Sequence, residues 1–208
     1  MDKAVNNEDK IVPKQEKGSR TGANTEIRCK SREEALILFR RACDRLLDVN
    51  NWHKYTGPGS ATFHLTDQGG TPISSIPIRG NYIRIDLPGP GPESGDGYDW
   101  VRIEAIREDD DPENDLEFFA FRVRPAANPQ RIEDATSHFY TEEATSTFMV
   151  QRAGHTITAA EMGRNEVPNT EARHAGDKVR NTIVALGAMT GLASVQWKGL
   201  MNGILYEK

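Results

Sequence analysis

The spacing of apolar side chains changes twice along the chain, from about 3.6 to 2 and back, and each change marks a new kind of element. Ala35, Phe39, Ala42, Leu46 and Val49 recur at alternating intervals of four and three, which places them on one stripe of a helix with Arg32, Arg40 and Arg45 turned to water. Ser31 and Glu34 have the S-x-x-E spacing of a capping box, so this helix is predicted to start there and to end near Asn50 to Trp52. Before it, TEIRCK over 25–30 reads as a first strand. Gly57-Pro58-Gly59 breaks the chain, and strict alternation follows. Ala61, Phe63 and Leu65, then Ile83, Ile85 and Leu87, then Val101, Ile103 and Ala105, then Phe119, Phe121 and Val123 each mark one face of a half-buried strand. Phe148 with Val150 and Ile157 with Ala159 mark two more. That makes about seven strands with mostly short connections, which favours an antiparallel sheet. Helical spacing returns with Val179, Ile183, Leu186, Thr190, Ala193, Trp197, Met201 and Ile204, a single helix of about 25 residues.

Residues 1–24 are polar and without periodicity, so the sequence predicts a flexible N-terminal tail followed by one α+β domain over 25–208. A chain of 208 residues with 37% hydrophobic positions buries a sufficient core without disulfides or a structural metal. Its formal charge of −5 lacks the basic footprint of a general nucleic-acid binder, so no nucleic-acid partner is expected. The N-terminal stretch has no apolar run fit for a signal-peptide core, which predicts a cytoplasmic location. The apolar stretch from Ile183 to Val195 is shorter than the ~20 residues of a membrane span. With only two cysteines, Cys29 and Cys43, both are read as reduced thiols.

Strand, helix, six antiparallel strands and a long closing helix is an order that resembles the helix-grip fold of START-like proteins, plant pathogenesis-related allergens and polyketide cyclases. LLDVNNWHKYTGPGSATFHL looks like that family's passage from first helix to second strand, and GLASVQWKGLMNGIL resembles its closing helix. The GPGPESGDG loop and the stretch from Pro125 to Glu143 depart from the pattern. They leave a small SH3-like β-barrel with flanking helices as the alternative. The resemblance implies a curved sheet wrapped around the last helix, with an apolar cavity between them for a lipid, a polyketide or another hydrophobic small molecule. Residues expected to line it are Trp52, Phe63, Ile85, Ile103, Phe121, Phe148, Trp197 and Met201, with Gly191 leaving room on the helix. Close helix-on-sheet packing is the plainer account of the helix glycines, Gly187, Gly191, Gly199 and Gly203.

Candidate chemistry is sparse. The run Asp109, Asp110, Asp111, Glu113, Asp115 has Asn114 where a calcium loop needs Gly and Ala120 where it needs Glu, so it reads as a solvated hairpin tip. The Pro- and Gly-rich loop over 88–97 lacks Lys-Ser/Thr and a following helix, which excludes a phosphate loop and leaves a surface hairpin or a lid. Arg84, Arg102, Arg122 and Arg124 share a face with Asp86 and Glu104, an arrangement that cross-strand ion pairs explain. No histidine pair has zinc spacing, and no cofactor or metal is predicted. His155 has the parity of Ile157 and Ala159 and is the histidine expected to reach the interior. Arg164 and Glu166 stand as the charged pair of a polar cavity mouth, against a reading of 163–169 as a plain turn and cap.

The leading expectation is a binder or carrier of a hydrophobic small molecule. An enzyme of cyclase, dehydratase or isomerase type, with His155 or Glu166 and Arg164 moving a proton, is the alternative. A third is an interaction module, with a homo-oligomer as one form of it, using the long C-terminal helix or the Pro125 to Glu143 segment as its contact surface, with Phe139 and Tyr140 as an exposed patch. The sequence decides neither for nor against catalysis.

Overall fold

The computed structural model describes residues 7–87, 93–131, 135–169 and 179–206, with the side chains of 93, 179–190 and 192 outside that description. In chain order the elements are α1 (Asn7–Ile11), β1 (Ser19–Arg28), α2 (Arg32–Leu47), α3 (Trp52–Thr56), β2 (Thr62–Thr66), β3 (Tyr82–Asp86), β4 (Asp99–Asp111), β5 (Leu116–Pro125), β6 (Thr145–Ala153), β7 (Thr156–Glu166) and α4 (Val179–Leu205). All seven strands form one antiparallel sheet in the order β1-β7-β6-β5-β4-β3-β2. β1 and β2 therefore lie on opposite edges, and α2 with α3 must cross from one edge to the other. The crossing is productive because α2 carries its apolar stripe inward.

Ser31 caps α2, accepting from the Glu34 amide at 3.1 Å, while the Glu34 carboxylate accepts from the Lys30 amide at 2.8 Å. Ala35, Leu38, Ala42 and Leu46 are buried against the sheet, with Phe39 half-buried beside them. The helix stops at Leu47, and a short 3-10 turn over Val49–Asn51 redirects the chain into α3, which Trp52 begins. The inner face of the sheet, α2, α3 and the end of α4 share one core containing Phe63, Ile83, Ile103, Phe121, Phe148, Leu200, Met201 and Ile204. A seven-stranded sheet gripping a C-terminal helix disposes of the SH3-like alternative.

The outer face is also covered, which corrects the expected tail: residues 7–11 are helical and β1 starts at Ser19, six residues before the predicted strand. Ile11 packs with Phe118, Ala120, Met149 and Ala160 on the outer face, with Val12 beside it, so a mostly polar segment is ordered by a surface the sheet supplies. A bulge between Ile103 and Ala105 flips parity in β4, and Ala105 joins this outer cluster rather than the inner face. Glu104, in the bulge, is held between Arg122 and Arg124; Arg84 instead stacks over Tyr98 at 4.5 Å.

α4 is docked by glycine. A β-carbon at Gly203 would sit 2.1 Å from the Tyr55 carbonyl oxygen, and one at Gly199 would sit 2.9 Å from that of Thr56, so α3 and α4 approach backbone to backbone only without those side chains. Arg45 donates to the carbonyls of Gly203, Ile204 and Tyr206, closing the helix end. Gly191 does not share this role: it is exposed, with no neighbour within 4 Å of where a β-carbon would be. Among the described residues no helix is long and apolar enough to cross a membrane. Cys29 and Cys43 are free, and burial pushes the Cys43 thiol up to about 12.

Candidate functional site: an aromatic pocket with two buried carboxyls

A pocket of about 170 Å³ lies between the inner face of the sheet and α4. Its apolar wall is a cluster of rings. Trp52 lies 5.1 Å from Phe63 and 5.0 Å from Phe148, and Trp197 of α4 lies 5.8 Å and 5.1 Å from the same two rings. The indole of Trp52 is anchored by donating to the Leu46 carbonyl at 3.1 Å, so its face is fixed toward the pocket. Ile83, Ile85, Val101 and Val123 complete the sheet side, while Ala193 to Trp197 form the helix side. Gln196, buried on that helix, accepts the Ala61 amide at 2.8 Å and ties α4 to the start of β2.

The polar wall comes from β7. Glu161 continues the inward parity of Ile157 and Ala159, and it is 1% exposed with neither carboxylate oxygen hydrogen-bonded. Burial, reinforced by the neighbouring Glu166 charge, raises its pKa to about 8, against the lowering effects of the nearby Ser146 hydroxyl and of the Arg164 charge. Simple alternation would turn Glu166 outward. Asn165 instead takes a left-handed backbone with φ of 56°, and the β1–β7 register slips between the pairs Ser19–Glu166 and Thr21–Gly163. This bulge returns Glu166 to the inner face. Its carboxyl folds back over Gly163, where a β-carbon would lie 2.3 Å from its Oε1, and accepts from the Thr21 hydroxyl at 2.8 Å. Its Oε2 has no partner, and burial raises its pKa as well.

The N-terminal segment secures the bulge. The Asn165 side chain accepts the amides of Glu16 and Lys17 and donates to the Lys14 carbonyl, while the Asn165 amide donates to the Gln15 side chain at 3.0 Å. A third wall, His138-Phe139-Tyr140, comes from the stretch that departs from the helix-grip pattern. It is pinned by Phe139 donating to Asp99 at 2.9 Å and by Asn169, whose side chain donates to the carbonyls of Thr136 and His138. Buried His138 accepts the Tyr140 amide on Nδ1, and desolvation holds its pKa down at about 3, so it is neutral in the working range.

Of the residues expected from sequence, the structure brings Trp52, Phe63, Ile85, Phe148, Glu166 and Trp197 to this pocket. Ile103, Phe121 and Met201 are fully buried core beneath it and do not border it. Arg164, on the outward side of the bulge, donates to the Gly163 carbonyl at 2.7 Å and makes no ion pair with Glu166. His155 is exposed: it forms the tight β6–β7 turn with Gly154, whose φ of 58° reverses the chain, so strand parity does not extend to it. Gly191 lies outside the pocket, and the surroundings of Gly187 fall outside the described side chains. Phe139 and Tyr140 line the pocket rather than forming an exposed patch. The acidic run is the β4–β5 hairpin tip, where Asp111 caps a short turn and no metal-binding group occurs among the described residues. Residues 88–92 of the expected lid lie outside the described residues. The sequence reading missed both Glu161 and His138: the inward parity of Glu161 with Ile157 and Ala159 is a signal that marks it, whereas His138 carries none.

No protein-family model and no curated protein matches the chain. Among solved structures it is similar to a hypothetical protein from Helicobacter pylori, at 10% identity and a TM-score of 0.48, over 91% of this chain and 87% of the other. It is similar to norcoclaurine synthase from Thalictrum flavum, solved with dopamine and hydroxybenzaldehyde, at 11% identity and a TM-score of 0.40, over 91% and 89%. It is likewise similar to Ara h 8.0201, at 11% identity and a TM-score of 0.37, over 90% and 99%. The fold rests on this chain's own strand order and helix placement. By that order, the chain has the helix-grip fold of the START-like proteins and polyketide cyclases.

Proposed function

We propose that the protein binds or carries a hydrophobic small molecule in the pocket between sheet and α4. The observation that supports this is the ring-lined wall of Trp52, Phe63, Phe148 and Trp197 around unfilled space, because a close-packed interior has few voids that large. A volume of about 170 Å³ is below the usual range for drug-sized ligands, so the ligand belongs to the small end of the lipid-like and polyketide-like class: one or two rings, or a short acyl chain. The cytoplasmic location expected from sequence belongs to the same proposal. Native mass spectrometry of freshly purified protein, followed by titration with small aromatics while Trp fluorescence is read, tests it. Saturable quenching or a blue shift supports binding; an empty protein that answers no apolar probe sinks it.

A second reading, proton transfer to or from the bound molecule, is favoured by one observation. Glu161 has a pKa of about 8 and faces the pocket, the poise expected of a general acid near neutral pH. Loss of turnover in Glu161→Gln with binding retained would support it, once a substrate is found.

A further inference from the structure

The ring-lined wall accounts for an apolar ligand but not for the opposite wall, where two carboxyls lie in the interior. Glu161 is 1% exposed and Glu166 is 5% exposed, and three of their four oxygens have no hydrogen-bond partner. An interior normally satisfies such groups, because an unmade hydrogen bond to a buried carboxyl costs more than the bond itself returns. Here the arrangement is built rather than incidental. Gly163 lacks the side chain that would displace the Glu166 carboxyl, Thr21 orients it, and the Asn165 bulge turns it inward. Both carboxyls border the pocket, and among the described residues none that lines it is Lys or Arg.

We infer that the ligand of this pocket carries a protonated amine, set between Glu161 and Glu166, on a small aromatic or apolar body held by Trp52, Phe148 and Trp197. The inference rests on the binding reading above and adds the charge of the ligand to it. An ammonium group brings N–H donors to the free oxygens and a positive charge to a lining whose described residues hold no Lys or Arg, and charge-assisted bonds of this kind are the strong ones in a water-poor site. A fatty acid or other carboxylate would meet like charge there, with no Lys or Arg among the described lining residues to offset it. Arg164 does not take the place of the cation, since it donates to the Gly163 carbonyl and lies off the pocket. The proton held by Glu161 at neutral pH fits this arrangement, because it lets the empty site avoid two adjacent buried charges.

The test uses the full chain and three probes of one shape: naphthylmethylamine, naphthylmethanol and naphthoate, titrated at neutral pH with Trp fluorescence and calorimetry as readouts. The amine is expected to bind roughly tenfold tighter than the alcohol, and the acid weakest of the three. In Glu161→Gln and in Glu166→Gln the ratio of amine to alcohol affinity should collapse toward one; either variant suffices if the other does not fold. Equal binding of amine and alcohol by the parent, or tightest binding of naphthoate, overturns the amine while the apolar pocket stands. Failure of all three probes to bind overturns the pocket reading itself.

Discussion

The two ends of the sheet's inner face handle buried charge in opposite ways. At the hairpin end, Arg152 of β6 is 2% exposed, yet it is paired with Glu117 and with Asp115 at 2.9 Å and donates to the Gly154 carbonyl at 2.9 Å. Burial alone would lower its pKa, and the hydrogen bonds and charges of Glu117 and Asp115 reverse that and raise it. Asp115 in turn holds Arg32 of α2 at 2.8 Å, which ties the start of the crossing helix to the β4–β5 hairpin. At the pocket end, Glu161 on the neighbouring strand is as deeply buried, with no ion-pair partner among the described residues and with Ser146 and Arg164 as the groups that favour its charged form. α4 follows the same division. Near Gly199 and Gly203 it presses backbone against α3, and at Gly191 it has nothing against it. A buried charge satisfied on every side closes the fold, whereas buried carboxyls beside a void keep hydrogen-bonding capacity that the fold itself does not use.

The sharpest break in this comparison is Arg152→Met. Removing the cation leaves Glu117 and Asp115 without their buried partner, and a loss of about 3 kcal/mol or more is expected in urea denaturation. A loss below about 1 kcal/mol would mean that the hairpin end is no more dependent on its pairing than a surface ion pair.

Glu161→Gln should act in the reverse direction. The group's pKa rises from 4.5 in the unfolded chain to about 8 in the folded one, so between these values the native state holds a proton that the unfolded state has lost. Stability of the parent therefore falls as pH rises through this window, and the whole penalty is present above about 8. Glu166, Arg164, His138 and Tyr140 share the neighbourhood and remain in the variant. The variant is expected to match the parent near pH 5 and to exceed it by roughly 2 to 4 kcal/mol near pH 8, in melts recorded across pH. Parallel profiles for the two proteins would count against an unpaired buried carboxyl.

Along α4, Gly203→Ala and Gly191→Ala form a matched pair. The first places a methyl group 2.1 Å from the Tyr55 carbonyl oxygen and should cost about 1 to 3 kcal/mol. The second adds a methyl group in open space and removes a glycine from a helix, so it should gain about 0.5 to 1 kcal/mol. Equal effects in thermal melts would erase the difference between the two ends of the helix.

Much of the fold was legible because alternation and helical spacing report local geometry directly. The capping box at Ser31, the seven strands and the closing helix each follow from neighbours within a few residues. The pocket's rings were legible for the same reason: Trp52, Phe63, Phe148 and Trp197 are large, apolar and correctly phased. Parity failed wherever the backbone inserted or reversed a residue. The β4 bulge sent Ala105 outward, the Gly154 turn left His155 in water, and the Asn165 bulge brought Glu166 inward while leaving Arg164 outside.

The sequence by itself determined the order and type of the elements, because hydrophobic period, caps and turn residues act over one or two turns of chain. Only the tertiary structure decided which carboxyls are buried without partners, that residues 7–24 form a helix, a strap over the bulge and the first half of β1, and that the Pro125 to Glu143 stretch supplies a pocket wall. Those outcomes depend on residues far apart in the chain, such as Glu16 with Asn165 and Asp99 with Phe139. The energy of such contacts exists only after the sheet has brought its edges together.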